Sequence, residues 1–223
     1  MTQAAEILDR SRVVLLDFDG PVCAVFGGMS NQDVAVELRA LFPEPLPEGI
    51  EQSPDPFDVL EYATQFGDLA TQVEERLRQL EVRAVSVAPA TPGATDVLEA
   101  LQRRGLSVVI VSNNSEAAVR AYLHANGLEA LAQGVSARTS AELAELKPSP
   151  FLLQQAITNI TADAAECVMV GDSATDIQAA HAAGTAVIAY ANKPGKRDRF
   201  TPHRPSAIIE HMTDLLGDGS ALT

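Results

Sequence analysis

Residues 12–22 read RVVLLDFDGPV, an unbroken valine- and leucine-rich run that ends in two aspartates and a Gly-Pro turn. A run apolar on both faces is the pattern of a strand buried in a parallel sheet. Asp17 and Asp19 then stand just past its carboxyl end. Two ionised carboxylates that close repel each other in a low-dielectric pocket. Either a cation sits between them or one of them holds a proton, so the remainder of the chain should supply a third anionic group, a lysine and a phosphate cradle.

Working outward, further runs of the same kind are LSVVIVS (106–112), CVMVGD (167–172) and TAVIAYA (185–191), with weaker ones at QGVSA (133–137) and SAIIEHM (206–212). Helical patterns alternate with them. TPGATDVLEALQRRG places Val97, Leu98 and Leu101 on one face and stops at Gly105. SEAAVRAYLHANG starts at Ser115, a good N-cap, and ends at Gly127. SPFLLQQAI has Ser149 as its expected N-cap with Pro150 at the first helical position, and TDIQAAHAAG closes at Gly184. Strands alternating with helices predict an α/β, doubly wound, Rossmann-like parallel sheet.

Residues 23–89 break the rhythm with three helical stripes and no convincing strand: Val34, Leu38, Leu41 and Phe42; then Val59, Leu60 and Ala63 behind Pro56; then Leu69, Val73, Leu77 and Leu80. Glu74, Glu75, Arg78 and Glu81 make up the other face of the third. The expected organisation is a core of residues 1–22 and 90–223 with a small all-helical domain, 23–89, inserted after the first strand. Its hinges are expected near Pro21–Ala24 and Ala88–Gly93.

Composition narrows the function. The chain has 223 residues and a formal net charge of −14, which opposes nucleic-acid binding because no basic face could dominate phosphate attraction. It also means that a metal or a few basic residues must reverse the field locally for any anionic substrate. No apolar run reaches membrane-span length, and the first residues lack a signal-peptide pattern. Only Cys23 and Cys167 are present, so a reduced, cytoplasmic protein without disulfides is expected. No histidine is placed to activate Cys23, and no His/Cys spacing suggests zinc.

In an open α/β sheet, ligands bind beyond the carboxyl ends of the strands. Asp17 and Asp19 fall there, as do Ser112 and Asn113, Lys147 before a helix, and Asp172 and Asp176 in GDSATD. Each has a plainer reading: a solvated turn for Asp17 and Asp19, turn formers for Ser112 and Asn113, a surface lysine for Lys147, a first-turn helix acid for Asp176. Convergence of four separated segments on one edge favours chemistry.

The ordered motifs DFDGPV, VSNN, KP and GDSATD resemble those of the haloacid dehalogenase superfamily, in its phosphoglycolate phosphatase and β-phosphoglucomutase-like branch with a helical cap. The resemblance implies a Mg2+-dependent phosphatase acting through an aspartyl phosphate. Asp17 would be the nucleophile and Asp19 the acid and base. Ser112, Asn113 and Lys147 would hold the phosphate. The metal ligands would be Asp17, Asp19 through its carbonyl, Asp172 and Asp176. The implied partner is a small phosphorylated metabolite, to a monomer or homodimer. The family usually has Thr or Val where Pro21 stands, which bears on the hinge rather than on the carboxylates.

A dehalogenase would lack Asp19. A carbon–phosphorus hydrolase would need a lysine from the insert, and residues 23–89 have none. A sugar phosphomutase and a non-catalytic phosphate-binding module remain as alternatives. Arg39, Arg76, Arg78 and Arg83 of the insert are candidate anion contacts, and in the basic loop YANKPGKRDRF (190–200) Lys193 lies nearest the strand end.

Overall fold

A computed structural model of the chain describes residues 2–217. Helix α1 (Gln3–Arg10) leads into β1 (Val13–Leu16). A helical insert follows: α2 (Asn31–Arg39), the short α3 (Glu48–Glu51), α4 (Pro56–Ala63) and α5 (Asp68–Val85). Alternation then resumes with α6 (Ala94–Arg103), β2 (Ser107–Ser115), α7 (Glu116–Ala125), β3 (Gly134–Arg138) and α8 (Phe151–Asn159). It ends with β4 (Cys167–Gly171), α9 (Ala174–Ala183), β5 (Ala186–Tyr190), α10 (Lys196–Phe200) and β6 (Ala207–Ile209). Among the described residues no helix is long and apolar enough to cross a membrane.

The six strands form one sheet in the order β3-β2-β1-β4-β5-β6, every pair parallel. β1 is central, with Leu15 beside Val109 of β2 on one side and Met169 of β4 on the other. The order reverses there, so the crevice for a ligand opens beyond the end of β1.

Strand periodicity divides the core in two. Val14, Leu16, Val108, Ile110, Val168 and Val170 pack with α1, α6 and α7 on one face. Their neighbours Val13, Leu15, Val109, Val111, Cys167 and Met169 pack with α8 and α9 on the other. Both faces are covered, which is why these strands alternate no polar residues. The doubly wound α/β core expected from sequence is therefore the fold.

Several boundaries differ from the sequence reading. β2 continues to Ser115, with its register against β3 interrupted between Ser112 and Ser115. β6 stops at Ile209, because Asp214 accepts from the backbone N–H groups of Glu210 and His211 and turns the chain (3.0 and 2.9 Å). α8 begins at Phe151; Pro150 takes the cap position, and Ser149 Oγ accepts only a long bond from Phe151 N (3.4 Å).

In the insert the three apolar stripes meet in a cluster of Val34, Ala35 and Leu38 with Val59, Leu60, Ala63, Val73, Leu77 and Leu80. The end of α5 leaves that cluster, and Ala84 and Val85 join the sheet's own core. The two connections between insert and sheet run side by side. Ala24 N donates to Pro89 O and Thr91 N to Val22 O, each 3.0 Å.

Leu98 of α6 is buried against the sheet, whereas Val36 of α2 is half exposed. Leu98→Ala should lower unfolding stability by about 2–5 kcal/mol through lost burial and the cavity left behind. Val36→Ala should stay within about 0.5 kcal/mol. Urea unfolding curves of the two variants check this contrast.

Candidate active site

With all strands parallel, their carboxyl ends share one edge, and the chain there must pass close to itself. Gly20 has φ of +106°, and a Cβ on it would stand 2.5 Å from Asp172 Cγ. Only glycine lets the turn after β1 approach the turn after β4 so closely. A Cβ on Gly171 would likewise meet Asp176 Cγ at 2.4 Å. These contacts draw Asp17, Asp172 and Asp176 together.

A cavity of about 220 Å3 opens at this edge. Of the residues expected from sequence, Asp17, Asp19, Ser112, Asn113, Lys147 and Asp172 line it. Asp176 lies beneath, wholly buried, in the first turn of α9. Ser173 caps that helix, donating its hydroxyl to Asp176 Oδ2 (2.6 Å) while accepting from Asp176 N (3.1 Å).

Lys147 joins the segments. Its ammonium donates to Asp17 Oδ1 (2.7 Å) and Val111 O (3.0 Å) and lies 2.7 Å from Asp176 Oδ1. An ammonium has three N–H donors, and here it has three oxygen neighbours. The main chain at Lys147 is clasped by the Asn113 side chain, which donates to Lys147 O (3.0 Å) and accepts from Lys147 N (2.8 Å).

The charges are unevenly balanced. Burial, reinforced by the Asp176 carboxylate and opposed by Lys147, raises the pKa of Asp17 well above the usual carboxylate range. Burial disfavours the Lys147 charge, but Asp17 and Asp176 more than offset it, and the lysine pKa is raised. Asp19, though exposed to the cavity, is also raised, chiefly by partial desolvation among its neighbours and partly by Asp172; the Val25 N–H donating to it (2.9 Å), Lys193 and Lys196 act against that. Such a carboxyl holds a proton more readily than a free aspartate does, the direction a general acid needs. Oxygens of Asp17, Asp172 and Asp176 all lie within 4.8 Å of one another. Three carboxylates so grouped fit a hard divalent cation, whose ligands are oxygens.

The loop after β5 contributes differently from expectation. Lys196, not Lys193, reaches the cluster, donating to Asp172 O and Oδ2 (2.6 Å each). Asn192 donates to the same Oδ2 (2.9 Å). The loop's basic composition signalled a role, but which lysine turns inward depends on α10 starting at Lys196.

The insert's arginines do not line the cavity. Arg39 donates to Ser53 O (2.7 Å). Arg76 and Arg83 both approach Glu37, and Arg78 stays within α5, near Glu75. What lines it from the insert is Phe26, Asn31, Asp55, Pro56 and Phe57. Cys23 is buried, and burial with Asp19 and Asp17 nearby pushes its thiol pKa up, so it is a poor nucleophile.

A second buried network escaped the sequence reading. Glu74 and Glu81, seven residues apart on α5, turn inward rather than to solvent and meet Arg138 at the end of β3. Arg138 donates to Glu74 Oε1 (2.5 Å), Glu81 Oε2 (2.6 Å) and Asn113 O (3.1 Å). Glu81 also accepts from Ser115 N (2.9 Å) and the Asn114 side chain (3.2 Å). Asn114 N in turn donates to Ser112 Oγ (3.1 Å). The insert is thus pinned to the end of β2, residues 112–115, where the register against β3 is interrupted. The seven-residue spacing was visible in sequence; the arginine partner was not.

Comparison with known proteins agrees with this arrangement. Residues 12–184 match the family model described as haloacid dehalogenase-like hydrolase. Pyrophosphatase PpaX of Bacillus pumilus is 33% identical over 121 residues, 54% of this chain and 55% of the relative. A phosphoglycolate phosphatase of Cupriavidus necator is 38% identical over 96 residues, 43% of this chain and 41% of the relative. The matches therefore span about half the length of these curated relatives. A crystal structure described as a predicted phosphatase from Clostridium acetobutylicum superposes with a TM-score of 0.74 at 16% identity, covering 92% of this chain and 96% of that one. That likeness is one of fold.

Removing the guanidinium from the second network would strand two buried carboxylates. Arg138→Ala should therefore destabilise the protein by about 3–5 kcal/mol, the usual cost of breaking a buried ion pair from one side. Chemical denaturation monitored by circular dichroism measures it.

Proposed function

Because this chain belongs to the haloacid dehalogenase-like hydrolases, we propose that it is a phosphatase, hydrolysing a small phosphomonoester with Mg2+ through an aspartyl phosphate on Asp17. One observation carries the reading above the others: the Lys147 ammonium bridges Asp17 and Asp176 at the floor of a cavity that Asp19 also lines. The plainer alternatives, a surface lysine for Lys147 and a solvated turn for Asp17, require exposure that these two side chains do not have, whereas Asp19 is exposed where it lines the cavity. The phosphatase names carried by the relatives accord with it.

Asp17 attacks phosphorus, and a bond from its carboxylate oxygen forms as the bond to the leaving oxygen breaks. Asp19 gives its proton to that oxygen, so the product departs as an alcohol. In the second step Asp19 takes a proton from water, the water oxygen bonds to phosphorus, and the bond to Asp17 breaks. Lys147 offsets charge on Asp17 and on the phosphoryl oxygens, and Ser112 donates to one of those oxygens; positioning and charge stabilisation are the main needs of phosphoryl transfer. Asp17, Asp172, Asp176 and the carbonyl of Asp19 would hold Mg2+, which supplies positive charge to the carboxylates and the phosphoryl group.

The insert, residues 23–89, acts as the cap over a core of residues 1–22 and 90–223, shielding the reaction from bulk water. Two free, buried cysteines accord with a cytoplasmic setting.

Asp17→Asn should reduce release of phosphate from an aryl phosphate by a factor on the order of a thousand or more, since the attacking oxygen is lost. Asp19→Asn should slow steady-state turnover by roughly a hundredfold or more, the range of a lost general acid–base. Residual turnover of Asp17→Asn near the wild-type rate would overturn the assignment. Chelation with EDTA should abolish activity and added magnesium restore it, read in the same assay.

A further inference from the structure

The cavity has two unlike walls. The core side brings the carboxylate cluster with Lys147, and Lys193 and Lys196 act on Asp19 from that side, Lys196 being committed to Asp172. The insert side brings Phe26, Asn31, Asp55, Pro56 and Phe57, of which only Asp55 ionises. In phosphoryl transfer the attacking and leaving oxygens are roughly in line. With Asp17 attacking from the core, the leaving alcohol projects toward the insert side.

Asp55 is held in place and still accessible. It caps α4, its Oδ1 accepting from Phe57 N (2.9 Å), and its own N–H donates to Ser53 Oγ (3.1 Å). Among the described residues its carboxylate has no cationic partner within ion-pair distance, whereas Arg39, Arg76, Arg78 and Arg83 are each engaged elsewhere in the insert. Asn31, the first residue of α2, adds an amide donor and acceptor. A leaving group bearing a second anion would meet a carboxylate here and no counter-charge. A hydroxyl or ammonium group would meet acceptors, and Phe26 and Phe57 would flank its carbon chain.

We propose that this cavity selects phosphomonoesters of short neutral or cationic alcohols, polyols or amino alcohols, over esters carrying a second anion, and that Asp55 determines the preference. The proposal rests on the phosphatase reading and deepens it by naming the substrate class.

Three esters of equal length, differing in one terminal group, test it: hydroxyethyl phosphate, phosphoethanolamine and phosphoglycolate, each assayed with magnesium. The wild-type kcat/KM for the first two should exceed that for phosphoglycolate by about tenfold or more, as expected for an unpaired charge facing a carboxylate. Asp55→Asn keeps a good helix cap, and the gap should contract to within about threefold. Asn31→Asp adds a second negative charge in a first helical turn, where it is tolerated, and should widen the gap. Wild-type enzyme that hydrolyses phosphoglycolate as fast as the neutral ester, or a ratio unmoved by Asp55→Asn, overturns the proposal while leaving the phosphatase standing. Protein inert toward all three esters and toward aryl phosphate overturns the phosphatase reading and this proposal with it.

Discussion

The edge of the sheet depends on one buried ammonium. Lys147 donates to Asp17 Oδ1 and to Val111 O and lies at ion-pair distance from Asp176 Oδ1, so the end of β1, the middle of β2 and the start of α9 share one cation. Asp176 is wholly buried, and a buried carboxylate without a counter-charge would cost several kcal/mol. Lys147 also fixes the direction of Asp17, whose backbone N–H continues the pairing of β1 with β4 by donating to Val170 O (2.9 Å). Chemistry and architecture therefore draw on the same contact.

Asn113 connects this contact to the second buried network. Its side chain clasps the main chain at Lys147, and its carbonyl accepts from Arg138. Arg138 in turn gathers Glu74 and Glu81 from α5. A buried basic group bridging two carboxylates occurs twice, once at the carboxylate cluster beyond β1 and once where the insert meets the sheet. The end of β2, residues 112–115, lies between them, so its geometry is tied to the seating of the insert. Buried charges that each need a specific partner tolerate few alternative packings.

The long-range field makes the local cations more consequential. A net charge of −14 repels phosphate esters from most of the surface. Positive charge is gathered at the cavity, where Lys147 and Lys196 stand among four aspartates and oxygens of three of those aspartates are grouped as a hard cation requires. One wall of the cavity, from the insert, carries a single carboxylate, and the other, from the core, carries the carboxylate cluster with Lys147, so the two walls differ in charge.

The sequence by itself determined the alternation of strands and helices, because strands covered on both faces must be apolar throughout and RVVLLDF, LSVVIVS and CVMV are. It also determined that Asp17, Asp19, Ser112, Asn113, Lys147 and Asp172 share an edge, since a parallel sheet puts every strand's carboxyl end on one side. Periodicity identified the stripes of the insert. Tertiary structure alone decided the partners. Glu74 and Glu81 read as the polar face of a helix, and only the arrival of Arg138 from β3 makes their burial possible. Lys196 rather than Lys193 meets Asp172, and the four arginines of the insert do not line the cavity while Asp55 and Asn31 do. Spacing along a chain specifies which side of an element a residue occupies. The opposing charge that makes a polar residue stable there comes from a segment distant in sequence, and local pattern carries no record of it.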